Sequence, residues 1–383
     1  MKESFISLRN WIEAFVYKHV NKPLYFRSDP ELVHSKLTES GERLGNHYST
    51  KLLTRLLFCY KNKQLNQNVQ GITFKNPIGL AAGFDYEARL TQILPDLGFG
   101  FHTVGTITCL PYEGNPTPRL GRLPNSKSLL VNKGFKSHGA KAGIEKLEEL
   151  SFEIPLGVSI GRTNGNPQVA TQEQAVADVV ASFKLWENSN VKNSYYELNI
   201  SCPNLTGNVT FYPPTHLNQL LDALSKLNIK KPVFIKMPIN ESKKDTLKML
   251  EVADRYEFIK GIIFGNLQKN RLDPSFDQEE IKKAGKGNFS GKPTWKLSNE
   301  LIAFSYKHYG KRFAIIGCGG IFTAEDAYTK IKLGASLVQL ISGMIFQGPQ
   351  TISSINQGLV KLLEKDGYKN ISEAVGVDNK HSG

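Results

Sequence analysis

From Asn76 onward the chain alternates between two patterns of apolar and polar positions. Unbroken apolar, β-branched runs of strand length fall at 76–82, 101–106, 155–160, 195–200, 232–237, 261–264, 313–317 and 336–341. After each comes a candidate helix with apolar residues at helical spacing, clearest at 169–188, 241–257 and 323–333. Strands that stay apolar throughout, alternating with helices, belong to a parallel sheet whose outer face is covered. Eight such units over about 250–300 residues predict a closed (β/α)8 barrel of the TIM class, an α/β fold. No GxGxxG follows the first run, which weighs against an open dinucleotide-binding sheet. Two stretches, 107–136 and 265–293, are long for loops and both follow a strand's C-terminal end.

Residues 1–70 read differently and are set apart as an N-terminal helical extension, with the barrel at 71–383. Helical segments are expected at Phe5–His19, after Ser28-Asp29-Pro30-Glu31, and at Thr50–Lys61. Ser28 or Asp29 can cap the second, with Pro30 at its first position. Phe5, Ile6, Leu8, Trp11, Ile12, Phe15 and Val16 interleave with basic residues in the first. That mixture suits a helix lying on a membrane surface, or one that simply packs on the barrel; the spacing leaves both open. No apolar run approaches the ~18 residues of a spanning helix. Met1-Lys2-Glu3-Ser4 leads into a segment broken by Arg9, Asn10 and Glu13, so no cleavable leader is expected.

Composition adds little to this picture, and charge adds something. Hydrophobic residues at 40% and charged residues at 22% describe an ordinary globular chain. Cys59, Cys109, Cys202 and Cys318 are scattered without CxxC or zinc spacing. No disulfide framework and no metal are expected, and a reducing compartment follows. The net charge of +13 is spread along the chain without a nucleic-acid motif. It points to anionic ligands or lipid headgroups rather than to nucleic acid. The expected location is peripheral on the inner face of a membrane, or cytoplasmic.

Candidate chemistry gathers where strands end. The first closes on Ala81-Ala82-Gly83-Phe84-Asp85, the second on Gly105-Thr106, the fourth on Asn199-Ile200-Ser201-Cys202-Pro203-Asn204. The fifth closes on Lys236-Met237-Pro238 and the sixth on Gly265-Asn266. The last two close on Gly317-Cys318-Gly319-Gly320 and Ser342-Gly343. Barrel enzymes build their sites at this end, and the glycines after strand seven suit a phosphate approached by backbone N–H groups. Lys236 ends an apolar run, so its charge needs a partner; the N1/O2 edge of a flavin offers one. Cys202 is a candidate base, although a cysteine at a strand end is more often a small core residue.

The stretch Asn199–Asn204 resembles the active-site signature of dihydroorotate dehydrogenases. AAGFD at 81–85, GNPTPRLGRL at 114–123, FSGKP at 289–293, IIGCGGI at 315–321, and SGMIF with QGP at 342–349 are similar to other family blocks in the same order. SDPELVH at 28–34 is similar to the extension of the membrane-associated, quinone-using branch. The resemblance covers roughly residues 25–365. It implies FMN against Ala82, Gly83, Thr106, Asn199, Lys236, Gly291, Gly319, Gly320, Ser342 and Gly343. It implies substrate near Asn199, Asn204 and Asn266, a base at Cys202, and a quinone tunnel past His34 and Arg122. Cysteine at the base position is the habit of the soluble branch, where the quinone-using branch carries serine.

The chain also departs from the family pattern. Tyr86 stands where the family has a lysine that touches flavin and substrate. Val131 stands where an asparagine is expected nine residues after the tunnel arginine, with Asn132 and Lys133 adjacent. Gly265 and Leu267 replace threonines around Asn266, and Ile341 replaces a tyrosine. The expected activity is FMN-dependent oxidation of dihydroorotate, or of a close relative, with electrons passed to a quinone. A flavin barrel oxidising another small ring, a catalytically degenerate flavin-binding homologue, and a basic nucleic-acid-binding protein stand as alternatives.

Overall fold

The structure, a computed structural model, describes residues 2–379. Eight parallel strands close into a barrel: β1 (Ile78–Leu80), β2 (Phe101–Ile107), β3 (Leu156–Ile160), β4 (Tyr195–Asn199), β5 (Val233–Lys236), β6 (Ile259–Phe264), β7 (Ala314–Cys318) and β8 (Ala335–Leu340). Each pairs with its neighbours in sequence, and β8 closes on β1 through Val338–Ile78 and Leu340–Leu80. The eight apolar runs are therefore the eight barrel strands, and β1, β2, β3, β4, β5 and β7 are buried along their length or nearly so.

Aromatic rings fill the N-terminal half of the barrel. Phe101, Tyr195 and Phe234 are fully buried there, with Tyr195 and Phe234 at 5.1 Å between centroids. A side chain at Gly79 would strike the Phe101 ring, and one at Gly157 the Tyr195 ring, so these strand glycines make room for their neighbours. Glu197 is buried among them and accepts hydrogen bonds from Thr103 and Gln339. A short hairpin, Gln67–Val69 with Ile72–Phe74, covers this end and sets Phe74 edge-on to Phe101. The floor of the barrel is packed, and the cavities that hold the candidate residues open at the C-terminal mouth.

One expectation is explained and one corrected. The stretches 107–136 and 265–293, long for loops, carry Leu120–Leu123, Ser128–Val131 and Asn288–Gly291, which form a three-stranded antiparallel sheet over the mouth. Its strands are four residues each and come from distant parts of the chain, so no local pattern announces them. After β1, where the periodicity predicts a first covering helix, residues 89–98 form a string of turns. There the Asp85 carboxylate takes the N–H groups of Arg89 (2.7 Å) and Leu90 (2.9 Å), and Pro95 interrupts any continuing helix.

The extension is helical, as expected. Helix α1 (Lys2–Val16) runs through a wider π-helical turn, Tyr17–Asn21, into α2 (Lys22–Arg27). Pro23 explains the widening, because a proline has no N–H to donate and its ring crowds the turn before it. Helices α3 (Pro30–Gly45) and α4 (Tyr48–Phe58) follow, and Asp29 caps α3 by accepting from the N–H groups of Glu31 and Leu32, both at 2.9 Å. Polar contacts fasten α1 to the barrel's last long helix, Thr351–Asp366. Arg9 reaches Ser353 at 2.6 Å and Gln357 reaches Glu3, while Tyr17, in the π-helical turn, donates to the Ile345 carbonyl of the preceding short helix, Ser342–Gln347, at 2.6 Å.

Candidate active site

Three adjoining cavities run through the mouth of the barrel and share walls. The first is a cradle between the ends of β7 and β8. Gly319 and Gly320 hold φ of +107° and +71°, where a Cβ would run into Thr294 and Trp295. The backbone N–H groups of both glycines have no acceptor among the described residues. Ser342 and Gly343 open a short helix, so their N–H groups are unpaired by its geometry as well. Gly291 borders the same space, and Ser290 and Ser342 meet at 2.8 Å between hydroxyl oxygens. Free donors, no Cβ atoms and a helix start describe an anion site.

The second cavity joins the first along Ala82, Lys236, Asn266 and Ile341, and adds Gly83, Thr106, Asn199 and Cys202. Lys236 is 4% exposed and makes no hydrogen bond with protein among the described residues. Asn199 donates to Thr106 at 2.8 Å, and Thr106 in turn meets Ser159 at 2.9 Å, which fixes the floor. A flat apolar wall, a phosphate-type cradle at one end and an orphaned buried cation fit a flavin mononucleotide.

Opposite that wall stand Cys202 and the amides. Burial pushes the Cys202 thiol up to about 11, against the backbone N–H at Asn204 and the cations Arg162 and Lys236, which pull it down. Asn266 donates to Ser201 at 2.8 Å and lies 3.4 Å from the Asn199 oxygen. Asn204 borders the cavity, but its amide is engaged with the Val131 carbonyl (3.0 Å) and with Asn288 (2.7 Å). Val131 and Lys133 face this space together with Leu129, whereas Leu130 and Asn132 line the opposite side of the cap sheet. Strand alternation dictates that split, so Asn132 does not stand in for the missing amide; it bonds Asn115 at 3.0 Å instead.

The third cavity, about 350 Å³, lies between the extension and the barrel. Its wall is apolar, with Phe26, Val33, Leu37, Leu44, Leu90 and Ile93 among the lining side chains. His34 and Phe84 border both this space and the second cavity. His34 donates from Nε2 to the Phe84 carbonyl at 2.7 Å, and its ring stacks on Tyr86 at 5.4 Å. Burial, helped by Lys133, pulls the imidazole down to about 4, so the ring is neutral at ordinary pH. Arg122 also lines the cavity, bonded to the Ser28 carbonyl at 2.8 Å and set over the Phe26 ring.

Each residue assigned to cofactor, substrate, base or tunnel thus lines at least one of these three adjoining cavities, and Asn132 lines none of them. Phe84 and Ser290 fall inside the sequence blocks without a role of their own, while Thr294, Phe135 and Arg162 lie outside every block. Thr294 directly follows the block that holds Gly291 and was within reach of that signal. Arg162, whose guanidinium holds the Thr206 carbonyl at 2.7 Å beside the Cys202 loop, carries no motif at all.

Comparison with known proteins agrees with this geometry. The family model described as dihydroorotate dehydrogenase matches residues 64–363. A protein named dihydroorotate dehydrogenase (quinone) from Trichodesmium erythraeum is 36% identical over 95% of this chain and 99% of its own length. Another of that name, from Crocosphaera subtropica, is 37% identical over 92% of this chain and 95% of its own. The crystal structure of Eimeria tenella DHODH in complex with ferulenol superposes with a TM-score of 0.77 at 27% identity, covering 92% of this chain and 96% of that one. A ligand-free structure of the Eimeria tenella protein gives a TM-score of 0.80 at 28% identity, over 93% of this chain and 100% of that one. This chain, an oxidoreductase by descent, belongs to the dihydroorotate dehydrogenase family.

Proposed function

We propose that the protein oxidises dihydroorotate to orotate on bound FMN and returns the electrons to a quinone. The observation that carries this reading is the continuity of the three cavities, from anion cradle to ring site to apolar tunnel. Bound FMN supplies a hydride acceptor that can later be reoxidised. Gly319, Gly320, Ser342 and Gly343 would hold its phosphate, with Gly291 alongside, and Ala82, Gly83, Thr106 and Asn199 would shape the ring's bed. Lys236 would supply a positive charge to stabilise the ring when it is reduced.

Cys202 acts as the base and takes the proton from the ring carbon. With its thiol held near 11, little thiolate exists at neutral pH, so proton transfer gains speed as pH rises. Asn199, Asn204 and Asn266 orient the substrate ring. His34 and Arg122 flank the route by which quinone arrives, and the capping sheet keeps water from the reacting face.

Residues 1–70 serve as a membrane-seating module on the barrel at 71–383. Phe5, Leu8, Trp11, Phe15, Leu53 and Leu56 are all exposed on α1 and α4, and the chain is strongly basic. No helix among the described residues is long and apolar enough to cross a membrane. The module lies on the surface of an anionic bilayer, on its inner face, and quinone enters the tunnel from the lipid.

Anaerobic addition of dihydroorotate to the yellow holoprotein tests the first half: the flavin absorbance bleaches and orotate accumulates. A hydrophobic quinone then restores the colour. A flavin that stays oxidised under dihydroorotate but bleaches with another ring overturns the substrate, and one that no quinone reoxidises overturns the acceptor.

A further inference from the structure

Lys133 stands at the mouth of the barrel as a buried cation without a counter-ion. It is 9% exposed, its Nζ has no hydrogen-bond partner, and its side chain projects into the cavity that holds Cys202 and Asn266. Among the described residues its close partner is the face of Tyr86, with Nζ 3.9 Å from the ring centroid. The carboxylates nearby are committed elsewhere. Glu31 pairs with Arg119 at 3.2 Å, while Glu87 pairs with Arg89 at 2.7 Å and meets His138 at 3.2 Å.

A cation buried without a counter-ion is costly, and an aromatic face offsets only part of that cost. The cost is removed when an anion arrives in the same cavity. We propose that Lys133 is the counter-ion for the substrate's carboxylate, so that this site selects a planar six-membered ring bearing an anionic group. The assignment rests on the function proposed above and deepens it. It also explains how the cavity manages with Tyr86 at the end of β1: the cation comes from the cap sheet, one strand-period after Val131, and the tyrosine becomes its platform.

The electrostatics of the site agree. Burial, joined by Lys136 and Arg119, lowers the Lys133 amine to about 8 against the opposing pull of Glu31 and Glu87. His34, stacked on Tyr86, is neutral and adds no charge. Cys202, across the cavity, is a neutral thiol below about 11. Lys133 is therefore the group whose charge changes between pH 7 and 9. Its protonated form binds the anion, so affinity falls as pH rises through that window.

Orotate and uracil, the same ring with and without the carboxylate, separate the possibilities when titrated into oxidised holoprotein and followed by the flavin absorbance shift. Lys133→Met should weaken orotate about 10–100-fold and leave uracil unchanged or tighter. Lys133→Arg should keep most of the orotate affinity and abolish its decline between pH 7 and 9. Equal orotate affinity in wild type and Lys133→Met overturns the role of Lys133 while leaving the proposed substrate standing. Wild-type protein that shows no orotate shift, and no bleaching by dihydroorotate, overturns the substrate reading and this assignment with it.

Discussion

The barrel and the extension use the same amphipathic spacing with opposite orientation. In the barrel every strand and helix turns its apolar face inward, and residues such as Ile235, Phe234 and Leu221 are fully buried. In α1 the polar face turns inward. Arg9 and Asn10 bond to one another, and Arg9 reaches on to the barrel, while Phe5 and Trp11 stand 67% and 63% exposed. Apolar patches of this kind on a folded surface mark a place where something other than water is met. One region is thus held by burying its apolar side chains, the other by polar contacts that leave an apolar face outward. The division predicts that damage at the mouth strikes the reductive half-reaction and damage to the extension strikes the oxidative half alone.

The sharpest break comes at the base. Cys202→Ala should slow flavin reduction by about 10²–10⁴-fold while FMN stays bound. Cys202→Ser should recover part of the rate. Because the proton must leave the thiol before it can accept another, the wild-type reduction rate should climb from neutral pH toward about 11. The serine variant should climb only at still higher pH. Stopped-flow reduction across pH reads all of this, and full-speed reduction by the alanine variant removes Cys202 from the mechanism.

Next in size is the cradle. Gly319→Val puts a β-branched side chain at φ +107° against Thr294, at about 1–3 kcal/mol of backbone strain plus a blocked phosphate. The protein should purify folded and colourless. A folded variant that keeps stoichiometric FMN moves the phosphate elsewhere.

On the extension, Trp11→Glu and Leu53→Glu each remove an exposed apolar contact without touching the core. Each should cost about 1.5–3 kcal/mol of vesicle affinity and slow reoxidation by a membrane-embedded quinone, with dihydroorotate-driven reduction unchanged. Flotation with anionic vesicles, at low and high salt, measures the first effect. Unaltered flotation would leave the outward face of α1 as surface only. The smallest effect belongs to Asp29→Ala, which removes the cap of α3 for about 1 kcal/mol of stability. It should lower the melting temperature slightly and raise KM for quinone through His34, without changing KM for dihydroorotate.

How much of this the sequence reveals follows from the range over which each signal acts. The eight strands are legible because burial on both faces writes an unbroken apolar run, and β1 to β8 lie on those runs within a few residues. The cap of α3 is legible because Asp29-Pro30 is a local chemical device. The cap sheet is not, because Leu120–Leu123 and Asn288–Gly291 form strands only in each other's company, bridged by Ser128–Val131. Nor does spacing reveal the register that turns Lys133 in and Asn132 out, since one residue of slip exchanges the two faces. The direction of α1 is hidden for a similar reason: periodicity shows that a helix has two faces, and not which one meets the protein.

One short helix, Ser342–Gln347, belongs to both ends of the machine. Its first residues frame the anion cradle, Ile345 walls both the ring site and the tunnel, and the Ile345 carbonyl receives the hydroxyl of Tyr17 from the extension. The anion cradle and the extension thus bear on the same six residues, one at the first turn of the helix and the other at its Ile345 carbonyl.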